Sequence, residues 1–491
     1  MKRHSIARVS LAASTFLAAV LGFVPAGPVA RVAAAGACTY CAGGEYHPVA
    51  PVRIFDSRHS VETPNSAGIN DVAPLGAKPM SSSKPTFDVQ LLGALADTPG
   101  SPLAGLASND VLAVMLSITI VQPTGEGWLA AFPTGSSPST LSSILNFSAG
   151  QTVPNLAIVR PGAGGKLTVQ LFSPKASTGQ VLIDLQGWYS SSSYVGNPGV
   201  DGDERGTRLI PVSPARIMET RTEYGGTGPL GAGGVRKLAI RGVDGVGSPV
   251  VTDVVPNRPT VEGVLLNVTA VEPTAVTHIS VVPDQPVGSP TTSNLNLTPG
   301  VIKANQVAVP LGDIATDPNG DIFFFNLNGS TNLVVDVVGY FERIPDDTRQ
   351  GRVVPLAAPF RAFDTREVIP FGGVTLGAGQ SEVWSFLNFA ASVTIGGVSV
   401  GKQSAVIGNL TNANLYRLYP SVPVRSFLTV YPADVPRPNV SNLNTTEGPP
   451  VPNMALLMYG TAPGKEQQVS VFNPYGNTHY LFDVSAVVLA D

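Results

Sequence analysis

The chain repeats itself three times, and no other property constrains its fold as much, because each copy must solve the same burial problem in the same way. An opening signature, Pro48-Val-Ala-Pro51-Val-Arg53-Ile-Phe-Asp56-Ser-Arg58, returns with Arg216, Glu219 and Arg221, and again with Arg361, Asp364 and Arg366. A middle signature joins a β-branched run (Val111 to Val121, Val264 to Val271, Ala405 to Thr411) to a second strand ending in Pro133, Pro283 or Pro432. An Asn-rich stretch follows. It reads Ser293-Asn294-Leu-Asn296 and Ser441-Asn442-Leu-Asn444 in the later copies, and Ser143-Ile-Leu-Asn146 in the first. A further Asn then comes at a fixed offset: Asn155, Asn305 and Asn453. The closing signature is an apolar strand carrying one acid, Asp184, Asp336 or Asp483. A Gly and two aromatics end it in the first two copies and are lost in the third.

These signatures delimit β-modules at 46–190, 208–343 and 352–491, with polar linkers at 191–207 and 344–351. Ahead of them, Lys2, Arg3 and Arg8 precede an apolar stretch from Leu11 to Val24, then Pro25, Pro28 and small residues up to Ala35. That is the pattern of an export signal, so 1–35 is read as a signal peptide and 36–45 as a mobile N-terminal tail. The apolar stretch is too short for a comfortable membrane span, and nothing later in the chain qualifies as one. Cys38 and Cys41, the two cysteines present, stand in a loop-like C-x-x-C and form a candidate disulfide. Lipidation at Cys38 is the alternative, since Ala35-Gly36-Ala37 has the small residues of a lipobox without its usual Leu.

Within each module, short strands alternate with turn clusters, and no long stretch has helical period. The 52 Gly and 44 Pro suit such a chain and oppose helices. The expected fold is all-β: three tandem β-sandwich (jelly-roll-like) modules after the signal peptide, with a barrel as the alternative. Charged residues make up only 13% and the net charge is -4, with no Lys/Arg run beyond the first residues. Nucleic acid is therefore not an expected partner.

The combination of a D-T-R opening, an S-N-L-N middle and a D-V-x-G-Y-F ending resembles tandem repeat modules of exported proteins from actinobacteria and related Gram-positives. The resemblance covers nearly all of the chain beyond the signal. In that group such modules stand in tandem or beside domains that degrade peptidoglycan or polysaccharide. It implies no activity for the modules themselves.

The repeated charged residues stand out in so uncharged a chain. Arg53, Asp56 and Arg58, with their counterparts Arg216, Glu219, Arg221, Arg361, Asp364 and Arg366, read as a structural Arg–carboxylate network. Asp184, Asp336 and Asp483 lie inside apolar strands, and a buried carboxylate needs a partner. The expectation is that each pairs with the Arg of its own opening signature, so that first and last strands are neighbours. Asn146, Asn155, Asn294, Asn296, Asn305, Asn442, Asn444 and Asn453 are expected to hold loops by bonding backbone groups. Binding of a sugar or a carboxylate is the alternative for the ionic set and sugar binding through the amides for the asparagines, and Trp128, Trp188, Tyr340 and Trp384 are candidate stacking surfaces.

Catalytic motifs are poor. Gly397-Val-Ser399-Val-Gly401 matches G-x-S-x-G, yet β-branched residues surround it where the motif requires a helix. No metal-ligand pattern, P-loop or dinucleotide fingerprint is present, so neither a metal nor a cofactor is expected. The sequence therefore predicts a secreted or cell-surface structural or adhesion-type repeat protein without catalytic activity. An array of carbohydrate- or cell-wall-binding modules is the alternative. Cell-wall glycan or other surface proteins are the expected partners.

Overall fold

The β-branched runs of the sequence form long strands, as expected where side chains branched at Cβ meet a pleated surface. The structure, a computed structural model, describes residues 42–490 apart from 59–79, 84, 93–102, 104, 108, 137–141, 192–193, 195–205, 222–226, 247–249, 368–372, 374, 396–397, 414–424 and 446–449. The signal-like segment and both cysteines lie outside the described residues. No helix among the described residues is long and apolar enough to cross a membrane.

Each repeat builds two antiparallel sheets with one strand order. In the inner sheet the opening strand pairs with the closing strand, the closing strand with a central strand, and the central strand with an edge strand. In the first repeat these are Tyr46–Asp56, Thr178–Ser190, Val111–Val121 and Thr152–Val159. In the second they are Arg208–Glu219, Asn332–Glu342, Val261–Val271 and Ile302–Pro310. In the third they are Val353–Asp364, Tyr480–Leu489, Gln403–Asn412 and Val451–Met458. The outer sheet of the first repeat contains Thr86–Gln90, Lys166–Phe172, Gly127–Pro133 and Leu145–Phe147 in that order, and the other repeats follow suit.

The protein is thus all-β, but the expectation of three separate sandwich modules in tandem is corrected. Six small antiparallel sheets form a propeller-like arrangement, and the described residues fall in a single compact unit. The reason lies in the inner sheets, which are covered on both faces. One face of the central strand Val111–Val121 packs with the outer sheet of its own repeat, through Val114, Leu116 and Ile118 against Leu129, Leu167 and Val169. The other face carries Leu112, Ala113 and Met115, which join Leu265 and Val338 of the second repeat and Ile407 and Leu456 of the third in a shared central core. A strand buried on both faces reads as a continuous apolar run, not as an alternation. Val111–Val121 is such a run, and every residue in it except the last is buried.

The described residues at the borders of the repeats belong to this body as well. Gly44 and Glu45, which the sequence placed in the N-terminal tail, are buried, and Gly44 exchanges backbone hydrogen bonds with Val353. Thr207, at the end of the first linker, does the same with Tyr46. Arg208 is fully buried and bonds Glu45 at 3.3 Å, Thr348 at 2.7 Å and the carbonyl of Asp346 at 2.6 Å. Arg352 reaches the same Glu45 at 3.1 Å. Equivalent strand starts from three repeats therefore meet in one Arg–Glu–Arg group.

Candidate functional site

The opening strand carries a β-bulge, and the bulge sets the geometry of the ionic cluster. Arg53 sits opposite Asp184 and Phe55 opposite Ile183, so Ile54 is an extra residue on the opening strand. The same bulge follows Arg216 and Arg361. In a regular strand residues three apart point to opposite faces; the extra residue brings Arg53 and Asp56 onto one face.

Four side chains then form a chain of alternating charge. Arg53 Nε donates to Asp184 at 2.5 Å and its Nη1 to Asp56 at 3.3 Å, while Arg58 clamps Asp56 with bonds of 2.9 and 2.7 Å. In the second repeat Arg216 donates to Asp336 at 2.9 Å and to Glu219 at 3.2 Å, and Arg221 clamps Glu219 at 2.6 and 2.8 Å. In the third, Arg361 binds Asp483 at 2.7 and 2.9 Å and Asp364 at 2.9 Å, and Arg366 clamps Asp364 at 2.8 and 2.5 Å. Burial pushes the carboxyls of Asp184, Asp336 and Asp483 upward, and the arginine on each pulls the other way. Each cluster contains two guanidinium groups and two carboxyl groups.

The asparagines hold the loop that follows the second outer strand. Asn294 and Asn442 each accept a backbone N–H at 2.7 Å, from Val281 and Val430, and Ile144 stands in their place in the first repeat. Asn146, Asn296 and Asn444 bond the serine three residues before them at 3.2, 3.0 and 3.1 Å. Asn155, Asn305 and Asn453 reach from the edge strand to the carbonyls of Ile144, Asn294 and Asn442 at 2.6, 2.7 and 2.6 Å.

The same asparagines also cross between repeats, which the sequence did not disclose. Asn155 donates to Asn409 of the third repeat at 3.0 Å and accepts from the Met454 N–H at 3.0 Å. Asn453 donates to Asn267 of the second repeat at 2.8 Å and accepts from the Gln306 N–H at 3.1 Å. Asn409 and Asn267 in turn donate at 2.5 Å to the carbonyls of Ser143 and Ser441, within the neighbour's Asn loop. The position equivalent to Asn267 and Asn409 in the first repeat is Ser117, whose buried hydroxyl has no partner. Among the described residues, two of the three boundaries thus carry an amide interlock, and the third does not.

Each Asn loop also lies over the ionic cluster of another repeat. Thr291 accepts from Arg53 at 3.3 Å, and the Ser441 N–H donates to Asp336 at 3.4 Å. Ser143 and Asp483 line one cavity of about 40 Å³, large enough for ordered water.

Of the aromatic candidates, Trp188 and Tyr340 are buried. Trp188 stacks on His47 with centroids 4.0 Å apart. The half-buried Trp128 and Trp384 stack on Phe172 and Phe363. Ser399 lies in the two-residue strand Val398–Ser399, paired with Thr394–Ile395, so it does not sit on a strand-to-helix turn. No group of three or more His, Cys, Asp or Glu among the described residues is placed to hold a metal ion.

A larger cavity of about 330 Å³ opens where the three Asn loops and edge strands converge. Asn146, Asn296 and Asn444 all line it, one from each repeat, together with Gln151, His278 and Lys303. Sequence reasoning missed this cavity because its walls come from three distant segments.

No protein-family model matches the chain, and no curated protein matches it either. Among solved structures, a chain of the Sulfolobus turreted icosahedral virus is 11% identical and has a TM-score of 0.15, with 82% of this chain and 83% of that one covered. The Clostridium perfringens ZmpB structure, an M60 catalytic domain with CBM51-1 and CBM51-2 domains, is 6% identical with a TM-score of 0.16, covering 82% of this chain and 33% of that one. The CBM22-1–CBM22-2 tandem domain of Paenibacillus barcinonensis Xyn10C is 12% identical with a TM-score of 0.15, over 55% of this chain and 88% of that one. Likenesses at such scores carry no argument about this protein.

Proposed function

We propose that the chain is an exported, non-catalytic structural protein of adhesion or spacer type, built as one interlocked body. The observation that supports this reading is how the repeated polar side chains are used. The arginines and acids of the three signatures neutralise one another, and the asparagines bond backbone and one another across repeats. Groups spent in this way fix a shape; a nucleophile or general base has to be left available to a substrate. Export rests on the N-terminal pattern of residues 1–35. Cell fractionation tests it, with the mature chain expected outside the cytoplasm and shortened by about the length of that segment. A broad hydrolase substrate panel tests the absence of catalysis, and turnover of any substrate that survives purification to homogeneity overturns it.

Glycan binding is the second reading, favoured by the amide-lined cavity where the repeats converge. Retention on insoluble peptidoglycan or polysaccharide is the result expected of it. Passage through every such matrix counts against it and leaves the structural reading standing.

A further inference from the structure

The cavity of about 330 Å³ is within the range of small-molecule sites. The pseudo-symmetry of the three repeats makes one departure in charge easy to see. Two positions before Asn155 and Asn453 the edge strands carry Val153 and Val451; two positions before Asn305 the residue is Lys303. All three line the cavity. A lysine therefore stands where the other repeats contribute aliphatic side chains.

Nothing among the described lining residues answers its charge. The lining includes no Asp or Glu, and the one hydrogen bond of the Lys303 ammonium among the described residues is a long one, 3.4 Å, to the carbonyl of Asn296. Burial lowers Lys303 to about 8, so its ammonium is poorly compensated where it stands. His278 is the other titratable side chain of the lining; burial lowers it too, which keeps it neutral, and its Nε2 has no hydrogen-bond partner. Around these two groups, Gln122, Gln151, Asn146, Asn296, Asn328 and Asn444 supply amide donors and acceptors. One cation among many amides is the donor set for a ligand with one negative charge and several hydroxyls.

We propose that this cavity binds a carboxylate-bearing sugar, with the carboxylate on Lys303 and the hydroxyls on the surrounding amides. The proposal rests on the glycan-binding reading and narrows it to acidic saccharides, either as free sugar acids or as units at the end of a polymer. The carboxylate supplies the charge that the cavity lacks, and His278 Nε2 gains a partner.

Calorimetric titration of the full mature chain with glucuronate and with glucose tests the proposal. Glucuronate is expected to bind at least tenfold more tightly than glucose. Lys303→Met is expected to lose that difference while keeping the fold, as judged by an unchanged or raised melting temperature. A uronic-acid polymer tested alongside separates the sources: binding of the polymer without the monomer places the ligand within a chain, and binding of both places it at a terminal unit or free acid. Equal binding of glucose and glucuronate overturns the acidic specificity and leaves the glycan reading intact, whereas silence toward both sugars and the polymer overturns the proposal outright. Glu447 follows Asn444 in the sequence and lies outside the described residues, so Glu447→Gln serves as a control. If glucuronate binds that variant alone and not the wild type, the charge of Lys303 is already met by the chain and the proposal fails.

Discussion

Asn453 donates from its side-chain amide to the side-chain oxygen of Asn267 at 2.8 Å, across the boundary between the third and second repeats. The same amide also bonds the carbonyl of Asn442 in its own repeat, and its oxygen accepts the Gln306 N–H. One buried residue thus closes a local loop and joins two repeats at once.

Removing it should cost more than removing its counterpart in the second repeat. Asn453→Ala leaves three buried groups without a partner, at about 1–3 kcal/mol each before relaxation. Asn305 bonds its own loop at the carbonyl of Asn294, so Asn305→Ala should cost about 1–2 kcal/mol. Chemical denaturation of both variants checks the order. In a cycle with Asn267→Ala, the double variant should lose less than the sum of the singles, because each single strands the other partner.

Ser117 offers the reverse experiment. It occupies the place of Asn267 and Asn409 with an unpartnered, buried hydroxyl. Ser117→Asn should complete the third boundary and raise stability by about 1 kcal/mol, seen as a higher melting temperature. A fall would mean that the boundary has no room for the longer amide.

The ionic clusters should punish half-removal. Arg361→Met leaves Asp483 and Asp364 buried beside a single remaining guanidinium, and such a break costs about 3–5 kcal/mol. Adding Asp483→Leu should recover much of that loss, since a buried pair replaced by apolar groups of similar volume is often near neutral. The comparison needs the two single variants and the double under one denaturant; no recovery in the double variant would show that Asp364 and Arg366 alone cannot settle the site.

Acid should weaken the protein through His47. Its ring stacks on Trp188, its Nε2 has no partner, and burial lowers it to about 4. An unfolded His takes its proton near pH 6.5. Between about pH 6.5 and 4 the unfolded chain therefore binds a proton that the folded chain refuses, and stability falls as pH drops, by at most about 3 kcal/mol. Above that window the contribution is fully present. His47→Phe keeps a ring against Trp188 and should flatten this part of the stability-versus-pH curve.

The repeats should not survive apart. Residues 208–343 alone would expose Leu209, Leu265, Ala308, Val338 and Phe341, which the other repeats cover. Exposed apolar patches of that kind drive association. The isolated segment is expected to aggregate or remain partly folded, whereas the whole chain should melt in one transition; a soluble, cooperatively folding single repeat would contradict the shared core.

Much of the ionic site was legible in the sequence. Asp184, Asp336 and Asp483 each meet the arginine of their own opening signature, because opening and closing strands are hydrogen-bonded neighbours within a repeat. The role of the bulge in bringing Arg53 and Asp56 to one face was not legible, since an inserted residue leaves no mark on composition or period. Gly187 is a middle case. Its place in the closing signature was plain, but its reason is that a Cβ there would lie 2.3 Å from the Tyr46 hydroxyl, which comes from the opening strand at the far end of the repeat and bonds the carbonyl of Gln186.

What the sequence determined by itself was the strand segments, their threefold recurrence and the charge pairing inside each copy, because these follow from local period and from partners in the same repeat. What only the tertiary structure decided was that the copies share a core, interlock through Asn155 and Asn453, and enclose a cavity with Lys303 at its wall. An apolar run such as Val111–Val121 announces that both its faces are buried. It cannot say which surface covers the second face, since hydrophobic burial has no direction and any apolar partner of the right shape satisfies it.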